Sequence, residues 1–255
     1  MRGYPQHCVR LLSMLHTPSY DMAAAAVAGL TTVERDRTND NPEENTVELI
    51  TDLWNLLAQM NILSLIENMV TNIIVTVDVF DPRNILPRAI SIIGSIDKIS
   101  TNVQFLRLWE HSANALLTKS EYPPEQPKDW KQVASCRCKC IYCNELMKFV
   151  QDSKTQTHRF RLPQDDRSHL EHTIFESRLD MERSTETKGR PYTLVCTKTR
   201  AIYEKQCIVH QCDLKGMQML LNVMNPSATN QRSSLTELQH RLIKANKRGL
   251  GGSNE

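Results

Sequence analysis

Between Ser135 and Cys143 the chain reads SCRCKCIYC, and four cysteines in that span restrict the local backbone more than any other feature of the sequence. Cys140 and Cys143 have the two-residue separation at which two thiolates turn around one tetrahedral zinc ion, and Cys138 supplies a third thiolate just upstream. Cys136 extends the run. Alternate residues of an extended segment point to opposite sides, however, so four local ligands would require a tightly curled backbone. A distant fourth ligand is therefore expected, from His169 or His172 in RSHLEHTIF or from Cys196 in YTLVCTK, with Cys136 as the local alternative. Asp165 or Asp166 capping a helix would place both histidines on one side of it, a turn apart. The preferred shell is Cys138, Cys140, Cys143 and His169 around a structural Zn2+.

Other chemistry for these thiols fits less well. The remaining cysteines are Cys8, Cys207 and Cys212, an even total of eight, but neighbouring CxC thiols are badly placed to bond each other. The apolar stretches near the N-terminus are interrupted by His7, Arg10, His16, Pro18 and Asp21, which is not a secretory pattern. Both observations point to a reducing, intracellular setting, cytoplasmic or nuclear. A redox pair at Cys140 and Cys143 would want a strand before it in a βαβ unit, which the pattern lacks. A catalytic zinc would need an open position and a base, whereas cysteine-rich shells close around the ion and stabilise the fold. Cys207, His210 and Cys212 form a weaker second candidate, and simple burial of both thiols is the plainer reading.

Around this knot the periodicity is mostly helical, and aromatic residues are only 5% of the chain. Leu49, Leu53, Leu56, Met60 and Leu63 follow one helical face, widened by Ile50, Leu57 and Ile66. TNDNPEEN, residues 38–45, reads as a loop before it. The β-branched run from Ile73 to Val77 ends that helix or begins a strand. Ile92, Ile96 and Ile99 predict a second stripe across Gly94, and Val103, Leu106, Trp109, Ala113, Leu116 and Leu117 a third. Trp54 and Trp109 fall within such stripes and are expected in the core. These stripes carry no HExxH, glycine-rich phosphate loop or paired catalytic carboxylates, so no catalytic residue is assigned. The most apolar stretch, Ile62 to Val77, contains Glu67, Asn68 and Asn72, which does not read as a membrane span.

After the cysteines, Glu145 to Val150 predicts a short helix, Thr157 to Leu162 an edge strand and Tyr192 to Thr197 its partner, with ERSTETKGRP a polar turn between. Ala201 to Met224 is helix-prone. Ser234 to Glu237 is a capping box opening a last helix, whose Arg241, Lys244, Lys247 and Arg248 suit its C-terminal dipole, and GLGGSNE reads as a tail. The expected fold class is mainly α, a helical bundle followed by a small zinc-stapled α+β module. The expected regions are 1–121 helical, 122–135 a Pro-rich ordered connector with Trp130 docked, 136–200 the zinc module and 201–248 C-terminal helices.

Charge adds a second functional option. Residues 1–127 hold 9 Lys and Arg against 15 Asp and Glu, a balance of −6, while residues 128–255 hold 22 against 14, a balance of +8. The alternation in HRFRL would set Arg159 and Arg161 on an exposed face, and Lys198 and Arg200 with Lys139, Lys148 and Arg167 complete the candidate polyanion contacts. The charges are dispersed, and Asp165 and Asp166 interrupt them.

The stretches FLRLWEHSANALLTKSEYPPEQPKDW, CRCKCIYCNELMKF, HRFRL, RSHL and GRPYTLVCTKTRAIYEK, from about Phe105 to Lys205, resemble the C-terminal region of a family of large, poorly characterised fungal proteins. The resemblance implies a CxCxxC ligand set at Cys138, Cys140 and Cys143 with a histidine at His169. Some relatives also carry an iron- and 2-oxoglutarate-dependent oxygenase domain elsewhere. This chain shows no HxD with a distant His and Arg for that chemistry, so the activity does not carry over. The leading expectation is a non-catalytic interaction or scaffolding module with a protein partner or larger assembly and no membrane. The alternatives are a zinc-dependent nucleic-acid-binding protein and an accessory region of a larger enzyme.

Overall fold

The stripe that begins at Leu49 forms helix α2 (Pro42–Gln59), but it stops at Asn61 and does not reach Leu63. Asn61 takes the left-handed conformation, φ 55°, and the N–H groups of Asn61 and Ile62 return to the carbonyls of Ala58 and Leu57. This is a Schellman ending, with Asn in the position where glycine is otherwise preferred. Leu49, Ile50, Leu53, Leu56 and Leu57 are buried while Leu63 is 65% exposed, so the predicted face covers one helix only. The helix also starts earlier than expected. Pro42 to Asn45 form its first turn instead of a loop, because proline suits the first helical position and Glu43 and Glu44 face the positive end of the dipole.

The computed structural model describes residues 20–32, 42–95, 102–224 and 233–251. Among them are nine α-helices and one three-stranded sheet, a mainly α fold. Residues 38–41, Cys8, Ile96, Ile99 and residues 252–255 of the expected tail lie outside the described residues. The chain divides into two compact units, residues 1–123 with 210–255, and residues 124–209. The helices after His210, expected as a region of their own, share a unit with the N-terminal helices.

In that larger unit, α1 (Tyr20–Gly29) and α2 are followed by α3 (Leu63–Val75), α4 (Ile85–Gly94) and α5 (Val103–Ser120). The later part of α8 (Ala201–Val223) and α9 (Ser233–Gly251) complete it. The β-branched run is helical as far as Val75. In α4 the buried face carries Ile90 and Ile93, while Ile92, expected inward, is 48% exposed. The α5 stripe is buried except at Val103, and Asn102 caps the helix by accepting the N–H groups of Gln104 and Phe105 at 2.9 and 3.2 Å. Trp54 and Trp109 are core residues, and Trp109 Nε1 donates to the Leu220 carbonyl at 3.0 Å. Buried Asp213 gathers Arg83 and Ser120, which satisfies a carboxylate that burial would otherwise penalise. Arg241 and Arg248 do not serve only their own helix dipole: Arg241 pairs with Glu121 at 2.9 Å and Arg248 lies over the Tyr122 ring. α9 begins at Ser233, so Ser234 sits inside its first turn, and Gly249 to Gly251 continue the helix.

In residues 124–209, helix α6 (Ile141–Gln151) leads to strand β1 (Thr157–Arg161), helix α7 (Gln164–Glu176) and strands β2 (Met181–Glu186) and β3 (Thr193–Lys198). The sheet is antiparallel in the order β1-β3-β2, with His158 opposite Cys196 and Arg183 opposite the same residue from the other side. β2 occupies the stretch expected to be a polar turn. Leu194, Cys196 and Lys198 alternate inward on β3, and the helices cover them with Leu146, Phe149, Leu170 and Ile174. Pro163, not either aspartate, stands at the N-cap position of α7 and makes no side-chain capping bond; Asp165 and Asp166 sit in the first turn, where negative charge suits the dipole. Its end is a second Schellman motif, with Arg178 left-handed at φ 50° and Leu179 N–H returning to the Ile174 carbonyl at 3.1 Å.

Candidate metal centre

The cysteine run enters this unit as an extended segment. Cys136, Cys138 and Cys140 are half-buried and alternate with exposed Arg137 and Lys139. Cys140 then becomes the N-cap of α6, in extended conformation, and its Sγ accepts the Cys143 N–H at 3.4 Å. An amide pointing at the sulfur stabilises its anionic form at a helix N-terminus. Cys143 lies in the first turn of α6 and is buried. Asn144 holds the turn by donating from Nδ2 to the Lys139 carbonyl at 3.0 Å.

α7 delivers the imidazole. His169 Nε2 is 3.2 Å from Cys143 Sγ and 3.7 Å from Cys140 Sγ. The ligand atoms of Cys138, Cys140, Cys143 and His169 all lie within 4.8 Å of one another. Ligands on one tetrahedral zinc, with bonds of about 2.0 to 2.3 Å, sit roughly 3.5 to 3.8 Å apart. The four atoms therefore form a Cys3His set of the kind a structural zinc takes, and soft thiolates with one imidazole favour zinc over hard, oxygen-seeking cations. Thr173, one turn beyond His169, was not anticipated. Its hydroxyl is 3.5 Å from Cys143 Sγ and 2.9 Å from the His169 carbonyl, so it links a thiol ligand to the helix that carries the histidine. Its i+4 spacing from His169 is the signal that places it there.

Without the ion, the two α6 thiols differ. The Cys143 N–H holds the Cys140 thiol down, to about 7, whereas burial pushes the Cys143 thiol up to about 12. A bound zinc would displace the protons its thiol ligands still carry.

The alternative ligands go elsewhere. Cys136 packs against the core but is outside the converging group. His172 is turned away and meets Glu176 Oε1 at 3.1 Å. Cys196 is fully buried on β3, and burial raises its thiol to about 12. Cys207 is half-buried and Cys212 exposed, against the expectation that both are buried; with His210 they form no ligand group among the described residues.

The candidate polyanion contacts are largely engaged within the chain. Lys198 is fully buried, donates from Nζ to the Asp152 carbonyl at 2.6 Å and lies over the Phe149 ring, which removes it from any surface contact. Arg167 is buried against the Leu162 carbonyl. Arg159 and Arg161 are exposed, as the strand alternation predicts, yet Arg159 pairs with Glu186 and Arg161 donates to the carbonyls of Arg190 and Pro191. Arg200 stacks over Trp130. No described helix is long and apolar enough to cross a membrane.

Fold and site together define a mainly helical protein that carries a small α+β unit with a Cys3His metal-ligand cluster. Comparison with protein-family models, with curated proteins and with solved structures finds no match to the chain.

Proposed function

We propose that the chain is a non-catalytic interaction module whose residues 124–209 are held together by one structural zinc. The convergence of Cys138, Cys140, Cys143 and His169 carries this reading, because the four ligands come from the extended segment, the start of α6 and α7, three pieces with a modest core between them. An ion there would tie all three. Large apolar side chains left exposed on the same unit, among them Val133, Ile141, Phe175, Ile202 and Ile208, support a protein partner. Seven free cysteines among the described residues support a reducing, intracellular setting.

Metal analysis with ligand variants tests the reading. The purified chain should contain one zinc, and C140S should lose it together with the cooperative unfolding of residues 124–209. His169→Ala should lower zinc affinity by more than about 100-fold, since even loss of an outer partner of a ligand typically costs 10- to 100-fold. His172→Ala should leave it unchanged. Full zinc in C140S, or equal losses in the two histidine variants, would overturn the assignment.

A further inference from the structure

Within residues 124–209 lies a cleft of about 280 Å3, lined in part by Trp130, Val133, Leu179, Arg200, Ile202 and Tyr203. Its walls are fastened by the chain itself. The N–H groups of Trp130 and Gln132 donate to the Ser153 and Val150 carbonyls at 3.1 and 2.9 Å. The Gln132 side-chain amide clamps the Asp180 backbone from both sides, donating to its carbonyl at 2.6 Å and accepting its N–H at 3.0 Å.

Arg200 is the unusual member. Its guanidinium lies over Trp130, with Cζ 4.8 Å from the ring centroid, and its Nε is buried with no acceptor. A buried donor left unpaired is costly, and a guanidinium already fixed by stacking loses little freedom on binding. Acids do line the cleft, namely Glu125, Asp129 and Asp180. Asp180 accepts from Thr199 Oγ1 at 2.5 Å and from the Ile202 N–H at 3.0 Å, and Asp129 Oδ1 accepts the Lys131 N–H at 2.9 Å. None of these contacts satisfies Arg200. Arg178, also on the lining, occupies the left-handed position after α7, where glycine would be less strained. With Lys131 the lining carries three cations beside its three acids, and Arg178 holds its place there from a backbone position that disfavours it.

We propose that this cleft binds the C-terminal carboxylate of an extended peptide whose last side chain is apolar. A planar carboxylate matches the guanidinium edge, and Val133, 99% exposed, and Ile202, 51% exposed, offer apolar surface for the side chain beside it. The volume lies near the lower end of ligand pockets and leaves room for a terminal residue. The inference rests on the interaction-module reading and names its ligand class.

The test uses the zinc-loaded full chain, followed by NMR at the Arg200 Nε–H and the Trp130 indole. The probes are the peptide Gly-Ala-Ala-Leu as free acid, the same peptide as C-terminal amide, N-acetyl-leucine and inorganic phosphate. The free acid should shift both resonances and bind roughly tenfold or more tightly than the amide, because only the acid offers a charged bidentate acceptor. Arg200→Lys should lose that preference. Arg178→Gly should raise the thermal midpoint while weakening the free acid, a combination that a purely structural arginine would not give. Equal responses to acid and amide, no shift up to about 1 mM peptide, or unchanged affinity in both variants would overturn the proposal. Phosphate binding as tightly as the peptide would overturn the carboxylate, and N-acetyl-leucine doing so would assign the cleft to small acids instead. Zinc content is measured on every sample, so a cleft that fails in zinc-loaded protein leaves the metal reading standing.

Discussion

Cys140 combines two roles that few side chains could share: it ends the extended segment as the cap of α6, and it offers a sulfur that the Cys143 N–H favours as thiolate. Serine in its place could still cap the helix but would be a poor zinc ligand. Thiol reactivity should follow from such differences. In zinc-loaded protein, alkylation at neutral pH should reach exposed Cys212 first, while Cys138, Cys140 and Cys143 are protected by the ion. Chelation should then release Cys140 before Cys143. Its thiol is held near 7 by the Cys143 amide, whereas that of Cys143 is raised to about 12 by burial. Cys196, also protonated at neutral pH because burial raises it to about 12, should stay unlabelled throughout. Mass spectrometry of labelled peptides reads the order, and early labelling of Cys196 would contradict its place in the core. The CxCxxC ligands were legible because their spacing is local. His169 was legible only as a candidate: three residues separate it from His172, about 60° on a helix, and which imidazole faces the thiols depends on how α7 packs.

At the scale of elements, what periodicity could not supply was supplied by neighbours. β2 has one apolar residue, Met181, in six, so nothing in MERSTE announces a strand; it exists because β3 offers it an antiparallel edge. The apolar stripe of α2 continues past the helix end in the sequence because Asn61 is an ordinary polar residue until its backbone turns left-handed. Gly94 is a further case, since it reads as a tolerated break in α4. A Cβ built there would lie 2.5 Å from Val223 Cγ1 and 2.8 Å from Val223 Cβ, so the absent side chain is what lets the end of α8 approach. Gly94→Ala should therefore destabilise by about 1 to 3 kcal/mol through overpacking, outweighing the gain of up to about 1 kcal/mol from better helix propensity. Val223→Ala should relieve part of that cost in the double variant, leaving the clash with Cβ. Urea unfolding of the four proteins gives the coupling directly, and a more stable Gly94→Ala protein would show that the approach is looser than this.

At the scale of the whole molecule, the division of the chain by halves misleads. The charge contrast of −6 against +8 contracts to −2 for residues 1–123 with 210–255 and +4 for residues 124–209, because the basic C-terminal segment belongs with the acidic helices. Sequence order could not reveal this. A polar stretch and a cysteine-rich unit separate helices that share one core, and their stripes look the same whether they close on each other or on distant partners. The consequence for stability is large. Leu214, Met217, Leu220, Leu235, Leu238 and Leu242 are buried in the same cluster as Trp54 and Trp109. Burying six side chains of this size contributes about 10 kcal/mol or more, comparable with the roughly 5 to 15 kcal/mol that separates most folded domains from their unfolded state. A chain ending at residue 127 should therefore fail to fold on its own, despite containing five of the helices, and should show neither a cooperative urea transition nor a protected Trp109 indole. Adding residues 210–255 as a separate peptide should restore both, since that segment carries the missing side chains and the Leu220 carbonyl that Trp109 requires. A cooperative transition in the 1–127 chain alone would mean that its own helices suffice to close the core, and that the C-terminal helices only cover it.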